Sequence, residues 1–147
     1  MFEEDYTMPL HGVECSGATK NNSKLPLQVN LSHGDIAFPS IAEPIWTLTD
    51  VGERYLTELS LYEHHDGYVL DVNCEGKGKF FVQPDHITID WQAQGTGSTH
   101  YFQTLGMALW LELQNIPCIH GNAIRYKDNA FALVAASGTG KSTLSAQ

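Results

Sequence analysis

Residues 131–147 read Phe-Ala-Leu-Val-Ala-Ala-Ser-Gly-Thr-Gly-Lys-Ser-Thr-Leu-Ser-Ala-Gln, and this stretch decides the predicted fold. Its first five residues are continuously apolar, which is typical of a short buried strand in a parallel sheet. A turn containing Gly138 and Gly140 follows, and the sequence then favours a helix beginning near Lys141. A strand, a glycine-containing turn and a helix in this order are the context of a phosphate-binding loop.

The loop residues have the chemistry that a polyphosphate requires. Gly138 and Gly140 allow the backbone N–H groups to point inward, and the next helix adds unpaired N–H groups and the positive end of its dipole. Lys141 would place its ammonium group against the outer phosphates, and the Ser142 hydroxyl would bind Mg²⁺. The general pattern is G-x-x-x-x-G-K-[ST], and Ala135 stands at the position of its first glycine. A plain turn and helix cap with a solvated Lys141 is the alternative interpretation.

Composition limits the class of protein and its partners. The chain has 147 residues, of which 42% are apolar, and this is enough for one globular core. Its 17 acidic and 8 basic residues give a net charge of -9, which argues against a nucleic-acid partner. Cys15, Cys74 and Cys118 are odd in number and far apart, so neither a disulfide framework nor a zinc site is supported.

The start of the chain, Met1-Phe-Glu-Glu-Asp, is acidic, and no apolar segment follows it. A secretory signal would need such a segment, and no apolar run in the sequence is long enough to span a bilayer. We therefore expect a cytoplasmic protein without a membrane span.

The region before residue 98 is predicted to be rich in strands. Residues 10–15 form a short strand, and residues 25–31 form an amphipathic strand in which Leu27, Val29 and Leu31 alternate with other residues. Prolines, Gly34 and small residues make residues 32–44 an irregular connection.

A meander of antiparallel strands is predicted from Tyr55 onward, with turns at 64–67, 75–78 and 84–85. In the strand 86–91, Ile87, Ile89 and Trp91 share one face. A helix over residues 50–62, capped by Asp50 with Glu53 completing a capping box, remains an alternative.

One helix follows the meander. The segment 92–99 contains Gly95 and Gly97 without a lysine, so we interpret it as a linker that ends in a helix cap at Ser98 or Thr99. Asn115 and Pro117 stop the helix. We assign Trp91 and Trp110 to the interface between the meander and the helix. The predicted apolar stripe of the helix contains Phe102, Leu105, Leu109, Leu113 and Ile116.

The domain boundary is placed in that linker, which gives a β-rich region over 1–97 and a nucleotide-binding part over 98–147. In the second part, strands over 118–126 and 130–136 are joined by a hairpin turn at 127–129. A parallel sheet needs a crossover helix and a further strand, but the sequence ends about two helical turns after Lys141. We therefore expect this nucleotide-binding part to be incomplete.

The stretch from His120-Gly121 through the hairpin to Ala136-Ser-Gly-Thr-Gly-Lys-Ser-Thr-Leu resembles the opening of the catalytic domain of the HPr kinase/phosphorylase family and its serine-kinase relatives. The resemblance implies an α+β to α/β fold, with an antiparallel β-rich meander and one long helix before a phosphate-loop core similar to that of phosphoenolpyruvate carboxykinases. It also implies ATP and Mg²⁺ as cofactors, with Ser142 as the metal ligand and Lys141 on the β and γ phosphates. The implied ATP-binding residues are Ala136, Ser137, Gly138, Thr139, Gly140, Lys141, Ser142 and Thr143.

By the same resemblance, the protein transfers the γ-phosphoryl group of ATP to a hydroxyl of a protein, peptide or small molecule. His120 matches a family histidine close to the loop and joins Lys141 as a candidate catalytic residue; a core histidine bonded to backbone is its alternative. The family's acidic residues that bind magnesium and accept the substrate proton follow the loop, beyond this sequence. Because one missing stabilising donor typically costs about 3 to 4 kcal/mol of barrier lowering, we expect the chain alone to be inactive.

Two other functions remain open. One is a fragment of an ABC-type transport ATPase, whose loop normally lies close to the start of its chain. The other is a non-catalytic binding module that a nucleotide stabilises. Each of these functions is compatible with a homo-oligomer.

Two smaller features receive structural interpretations. His64-His65-Asp66 is interpreted as exposed turn surface rather than a metal site, because adjacent histidines on a strand point to opposite faces and cannot share an ion without a bent turn. Tyr126 is interpreted as partial core rather than a platform for adenine.

Overall fold

The computed structural model of the protein describes residues 13–16, 27–37, 42–52 and 54–135. The chain divides into two compact units, residues 1–115 and residues 116–147. No helix within the described ranges is long and apolar enough to cross a membrane.

The first unit contains a seven-stranded mixed sheet. Its strand order is β1-β2-β7-β6-β5-β4-β3. β1 and β2, and β2 and β7, pair in parallel, whereas β3 to β7 form one antiparallel meander. The strands are β1 Val13–Ser16, β2 Leu27–His33, β3 Trp46–Val51, β4 Leu56–His64, β5 Gly67–Asn73, β6 Gly76–Val82 and β7 His86–Gly95.

The structure confirms the predicted β-rich meander in its main features. Strand β2 covers most of the predicted strand 25–31, and the chain turns at His65-Asp66 and at Pro84-Asp85 as predicted. The helix alternative for residues 50–62 is wrong, because the end of β3 and most of β4 occupy this range. Strand β3 was not predicted; its residues are all exposed at the sheet edge, so its alternation does not separate a buried face from a solvated one.

One face of the sheet carries the core of the first unit. In β4 to β7 alternate residues point to this face, and cross-strand pairs such as Phe80 with Ile89 lie side by side there. Helical residues cover this face, since the Phe102 ring centroid lies 6.4 Å from that of Phe80. Val69 is buried on the opposite face, because it is adjacent to the core residue Leu70 in β5. The buried apolar side chains of strands and helix are Val29, Leu59, Val69, Leu70, Val72, Phe80, Val82, Ile87, Ile89, Tyr101, Phe102, Met107, Trp110 and Leu111.

The predicted helix is present, but it is interrupted by one π-helical turn. It consists of α1 Ser98–Tyr101, the π turn Phe102–Gly106 and α2 Met107–Leu113. Gly97 is the N-cap, and no side chain caps the helix, so the predicted cap at Ser98 or Thr99 is wrong. At the other end Asn115 has φ 60, and its N–H donates to the Glu112 carbonyl at 2.9 Å, which confirms the predicted stop.

Both tryptophans assigned to the interface of meander and helix lie there. The Trp91 ring stacks on Tyr101 with a centroid distance of 5.1 Å. The Trp110 indole N–H donates to the Pro84 carbonyl at 3.0 Å, and the Gln114 side-chain amide donates to the same oxygen at 2.9 Å. The helix therefore packs on the sheet of the first unit, whereas the sequence analysis grouped it with the hairpin that follows.

The described part of the second unit is a two-stranded antiparallel hairpin. It is formed by β8 Asn122–Tyr126 and β9 Asn129–Leu133, and Lys127 in its turn has φ 55. A hairpin at this place was predicted. The prediction of a buried parallel strand over 131–135 is not met in the described residues: β9 pairs antiparallel with β8, and Phe131 and Val134 are 55% and 60% exposed.

Candidate functional site

The predicted phosphate-binding residues lie outside the described part of the chain. These residues are Ala136, Ser137, Gly138, Thr139, Gly140, Lys141, Ser142 and Thr143. The described chain reaches Ala135, two residues beyond the end of β9. Ala135 is thus the residue at which the described chain meets the entrance of the predicted loop.

The His120-Gly121 dipeptide lies beside this entrance. The last pair of the hairpin joins Asn122 to Leu133. A Cβ added to Gly121 would lie 2.8 Å from the Leu133 carbonyl oxygen and 3.3 Å from Val134 Cγ2, so the backbone of residue 121 lies close against the end of β9. His120 is exposed in the described part of the second unit. This exposure does not agree with the alternative interpretation of His120 as a core histidine.

Tyr126 lies at the opposite end of the hairpin. It pairs with Asn129 beside the turn and is 63% exposed, so the prediction that it is partial core is wrong. The Lys127 ammonium lies 5.2 Å from its ring centroid. Tyr126 is paired beside the turn, whereas the described chain leaves β9 at Leu133, four residue steps or about 13 Å from Asn129 along the strand. Tyr126 therefore lies at the end of the hairpin away from Ala135.

A second group of candidate functional side chains occupies the turn between β4 and β5. His64 is the last residue of β4 and pairs with Gly67, and His65 and Asp66 form the turn between them. The two imidazole centroids lie 4.1 Å apart, and His65 Nε2 lies 2.7 Å from Asp66 Oδ2. His64 ends β4 and His65 lies in the turn, which is the bent turn that adjacent histidines require if their rings are to approach one another.

A shallow cleft of about 620 Å³ adjoins this turn. Glu63, Tyr68 and Asp85 line it together with the turn residues. Three acidic groups, Glu63, Asp66 and Asp85, therefore contribute to one concave surface, and such a surface attracts cations.

The sheet also has a polar depression of about 370 Å³, whose lining includes Thr47, Glu58, Asp71 and Asn73. In this depression the Asn73 side-chain amide donates a hydrogen bond to Glu58 Oε2 at 2.6 Å. Nothing in the sequence pattern singled out this surface, because its members come from three different strands and are adjacent only through their pairing.

Tyr101 is the described group whose acidity the fold changes most clearly. It is 8% exposed, and burial raises its pKa from 10.0 to about 12, to which the neighbouring Cys74 thiol contributes. Its partners are the Trp91 ring and the sheet, so its role is in the packing of the helix rather than in a binding site.

Comparisons with known proteins do not identify a family. No protein-family model, no curated protein and no solved structure matches this chain.

Proposed function

We propose that the chain supplies the ATP-binding loop and the β-rich N-terminal region of a serine kinase similar to HPr kinase. Such an enzyme transfers the γ-phosphoryl group of ATP to a hydroxyl group of a protein, peptide or small molecule. The observation that carries the proposal is the course of the hairpin: β9 leads towards Gly-Thr-Gly-Lys-Ser, and Gly121 packs against the end of β9. Gly121, which follows His120, thus lies next to the end of β9, and the sequence continues from there into the proposed loop.

The donor groups in the loop sequence fit a magnesium-bound polyphosphate. Lys141 provides a point charge for the β and γ phosphates, and the Ser142 hydroxyl is an oxygen ligand of the kind that Mg²⁺ prefers. Bound Mg²⁺ would neutralise charge on the phosphates and polarise the transferred group. Because His120 is exposed near the loop entrance, its imidazole is available for a hydrogen bond to a phosphate oxygen or to the acceptor.

Phosphoryl transfer depends on the loop, the metal and a base that act together. The sequence up to Gln147 provides the loop and one proposed metal ligand, Ser142. We therefore expect nucleotide binding without turnover from the 147 residues, and a transfer or hydrolysis rate near one per second with radiolabelled ATP would contradict this proposal.

Ligand linkage tests the nucleotide site directly. Mg-ATP at about 100 times its dissociation constant should stabilise the native chain by about 2.7 kcal/mol and raise its melting temperature. Lys141→Ala should remove most of this shift because the outer phosphates lose their cationic partner. Lys127→Ala is the matched control, because it removes a lysine of the hairpin turn and leaves the loop unchanged. A melting curve of the unmodified chain that Mg-ATP leaves unchanged would refute the proposal.

A further inference from the structure

We propose that His64, His65 and Asp66, at the turn between β4 and β5, bind a divalent transition-metal ion such as Zn²⁺. One nitrogen of each imidazole and one carboxylate oxygen lie within 4.8 Å of one another. This site lies in the first unit and has no residue in common with the proposed nucleotide loop.

The turn is what brings the three side chains together. Antiparallel pairing continues up to His64 and Gly67, so the chain reverses within the two residues between them. A Cβ on Gly67 would collide with the carbonyl oxygen of Val82 on the neighbouring strand β6, so glycine allows β6 to lie close beside the residue that follows Asp66. The three candidate ligands are therefore consecutive residues at one end of the sheet.

The distances suit a small tetrahedral ion after modest side-chain rotation. Zinc binds nitrogen and oxygen ligands at about 2.0 to 2.1 Å, so the ligand atoms of a tetrahedral site lie about 3.3 Å apart. His65 Nε2 and Asp66 Oδ2 are closer than this, at 2.7 Å, and the group as a whole is within 4.8 Å. Because His65 and Asp66 are exposed, their side chains can adjust without displacing the core.

His64 is already oriented by its surroundings. Its ring packs edge-on against Phe81 with a centroid distance of 4.9 Å. The Asp66 backbone N–H makes only a long hydrogen bond to His64 Nδ1, at 3.5 Å, so an arriving ion can displace it. The contact with Phe81 limits the rotation of the ring before the ion arrives.

The ligand chemistry selects the class of metal. Two imidazoles and one carboxylate favour zinc, copper or nickel over magnesium or calcium, which prefer a full set of oxygen ligands. Three protein ligands leave one position of a tetrahedral ion open. That position can be filled by water or by an acidic group of the adjoining cleft, where Glu63 and Asp85 lie.

Titration of the untagged full chain with Zn²⁺ tests this site. We expect one equivalent to bind at this turn, and Co²⁺ to give the intense visible absorption of a tetrahedral ion, which Zn²⁺ then abolishes. His64→Gln, His65→Gln and Asp66→Asn should each weaken binding by at least about tenfold, since each removes a ligand. His100→Gln is the matched control, because it removes an exposed histidine of α1 and should leave binding unchanged.

Unfolding in urea without metal, measured for each variant, separates loss of a ligand from loss of the fold. Equal Zn²⁺ affinity of the original chain and a folded His65→Gln variant would overturn the inference, as would the absence of Zn²⁺ binding by the original chain. Lys141→Ala should retain Zn²⁺ binding, so failure of the nucleotide proposal and failure of the metal proposal give different results.

Discussion

Gly78 in β6 shows how a residue that the sequence assigns to a turn can belong to a packed strand. A glycine-containing segment predicts a turn over 75–78, but β6 begins at Gly76 and Gly78 pairs with Trp91. A Cβ on Gly78 would collide with the Asp90 carbonyl oxygen and the Trp91 ring. The missing side chain makes room for a tryptophan on the neighbouring strand, and sequence alone does not distinguish this use of glycine from a turn.

Tyr101 provides a prediction at the same scale. Its pKa is raised from 10.0 to about 12 in the folded protein, mainly by burial, so the folded state holds the phenolic proton more tightly than the unfolded state does. The corresponding stability is complete below about pH 10 and is lost as the pH rises to about 12, by about 2 to 3 kcal/mol. Urea unfolding at several pH values in this window measures the loss.

Two variants isolate the contribution of Tyr101. Tyr101→Phe removes the titrating group and should make the fall in the free energy of unfolding shallower over this window. Tyr126→Phe, at a 63% exposed position, should leave the pH dependence as it is in the original chain. If Tyr101→Phe loses as much stability with pH as the original chain, the phenol is not the group responsible.

At the scale of elements, the π turn explains why the sequence predicts the wrong buried residues in the later part of the helix. A regular α-helix with Phe102 on the core face also places Leu105 and Leu109 there, as the sequence analysis assumed. The π turn adds about one residue to that turn, so Gly106, Met107, Trp110 and Leu111 are buried instead. Gly106 lies between the Phe80 and Phe102 rings, where a Cβ would be at a contact distance of 3.4 Å from each.

Deletion of Thr104 tests this account of the helix. Removing one residue from the π turn should return it to α-helical geometry and keep Trp110 on the sheet, since the extra residue is what displaces the later positions. Thr104 is exposed, and its hydroxyl donates only to the His100 carbonyl, at 2.9 Å, so little else is lost. We expect a folded protein with a stability change within about 1 kcal/mol, measured by urea unfolding.

Deletion of Ala108 is the matched control. It lies in α2, where removing one residue rotates all later positions by about 100° and takes Trp110 and Leu111 off the core face. The expected loss is at least about 3 kcal/mol. Equal losses for the two deletions would show that the π turn is itself required for the fold.

At the scale of the whole molecule, alternation and turn residues are sufficient to predict much of the meander. In β7, Ile87 and Ile89 are buried as predicted, because a half-buried strand must place every second residue in the core. The parallel pairing of β2 with β7 could not be predicted, since it joins segments that are distant in sequence. The sequence indicated a turn at His64-His65-Asp66. It did not indicate that these three side chains lie close together, because that depends on the residue at which β4 ends.

The division of the chain leads to a last prediction, with two fragments. Residues 1–115 should fold without the rest, because the sheet and its helix lie in one compact unit. Residues 1–97 should not fold, since they lack five buried apolar side chains, Tyr101, Phe102, Met107, Trp110 and Leu111. At about 1.5 to 3 kcal/mol each, these side chains contribute about 7.5 to 15 kcal/mol, which is as large as the net stability of a typical domain. Circular dichroism and urea unfolding show whether each fragment folds. A cooperative unfolding transition for residues 1–97 would place the domain boundary before the helix, as predicted from the sequence.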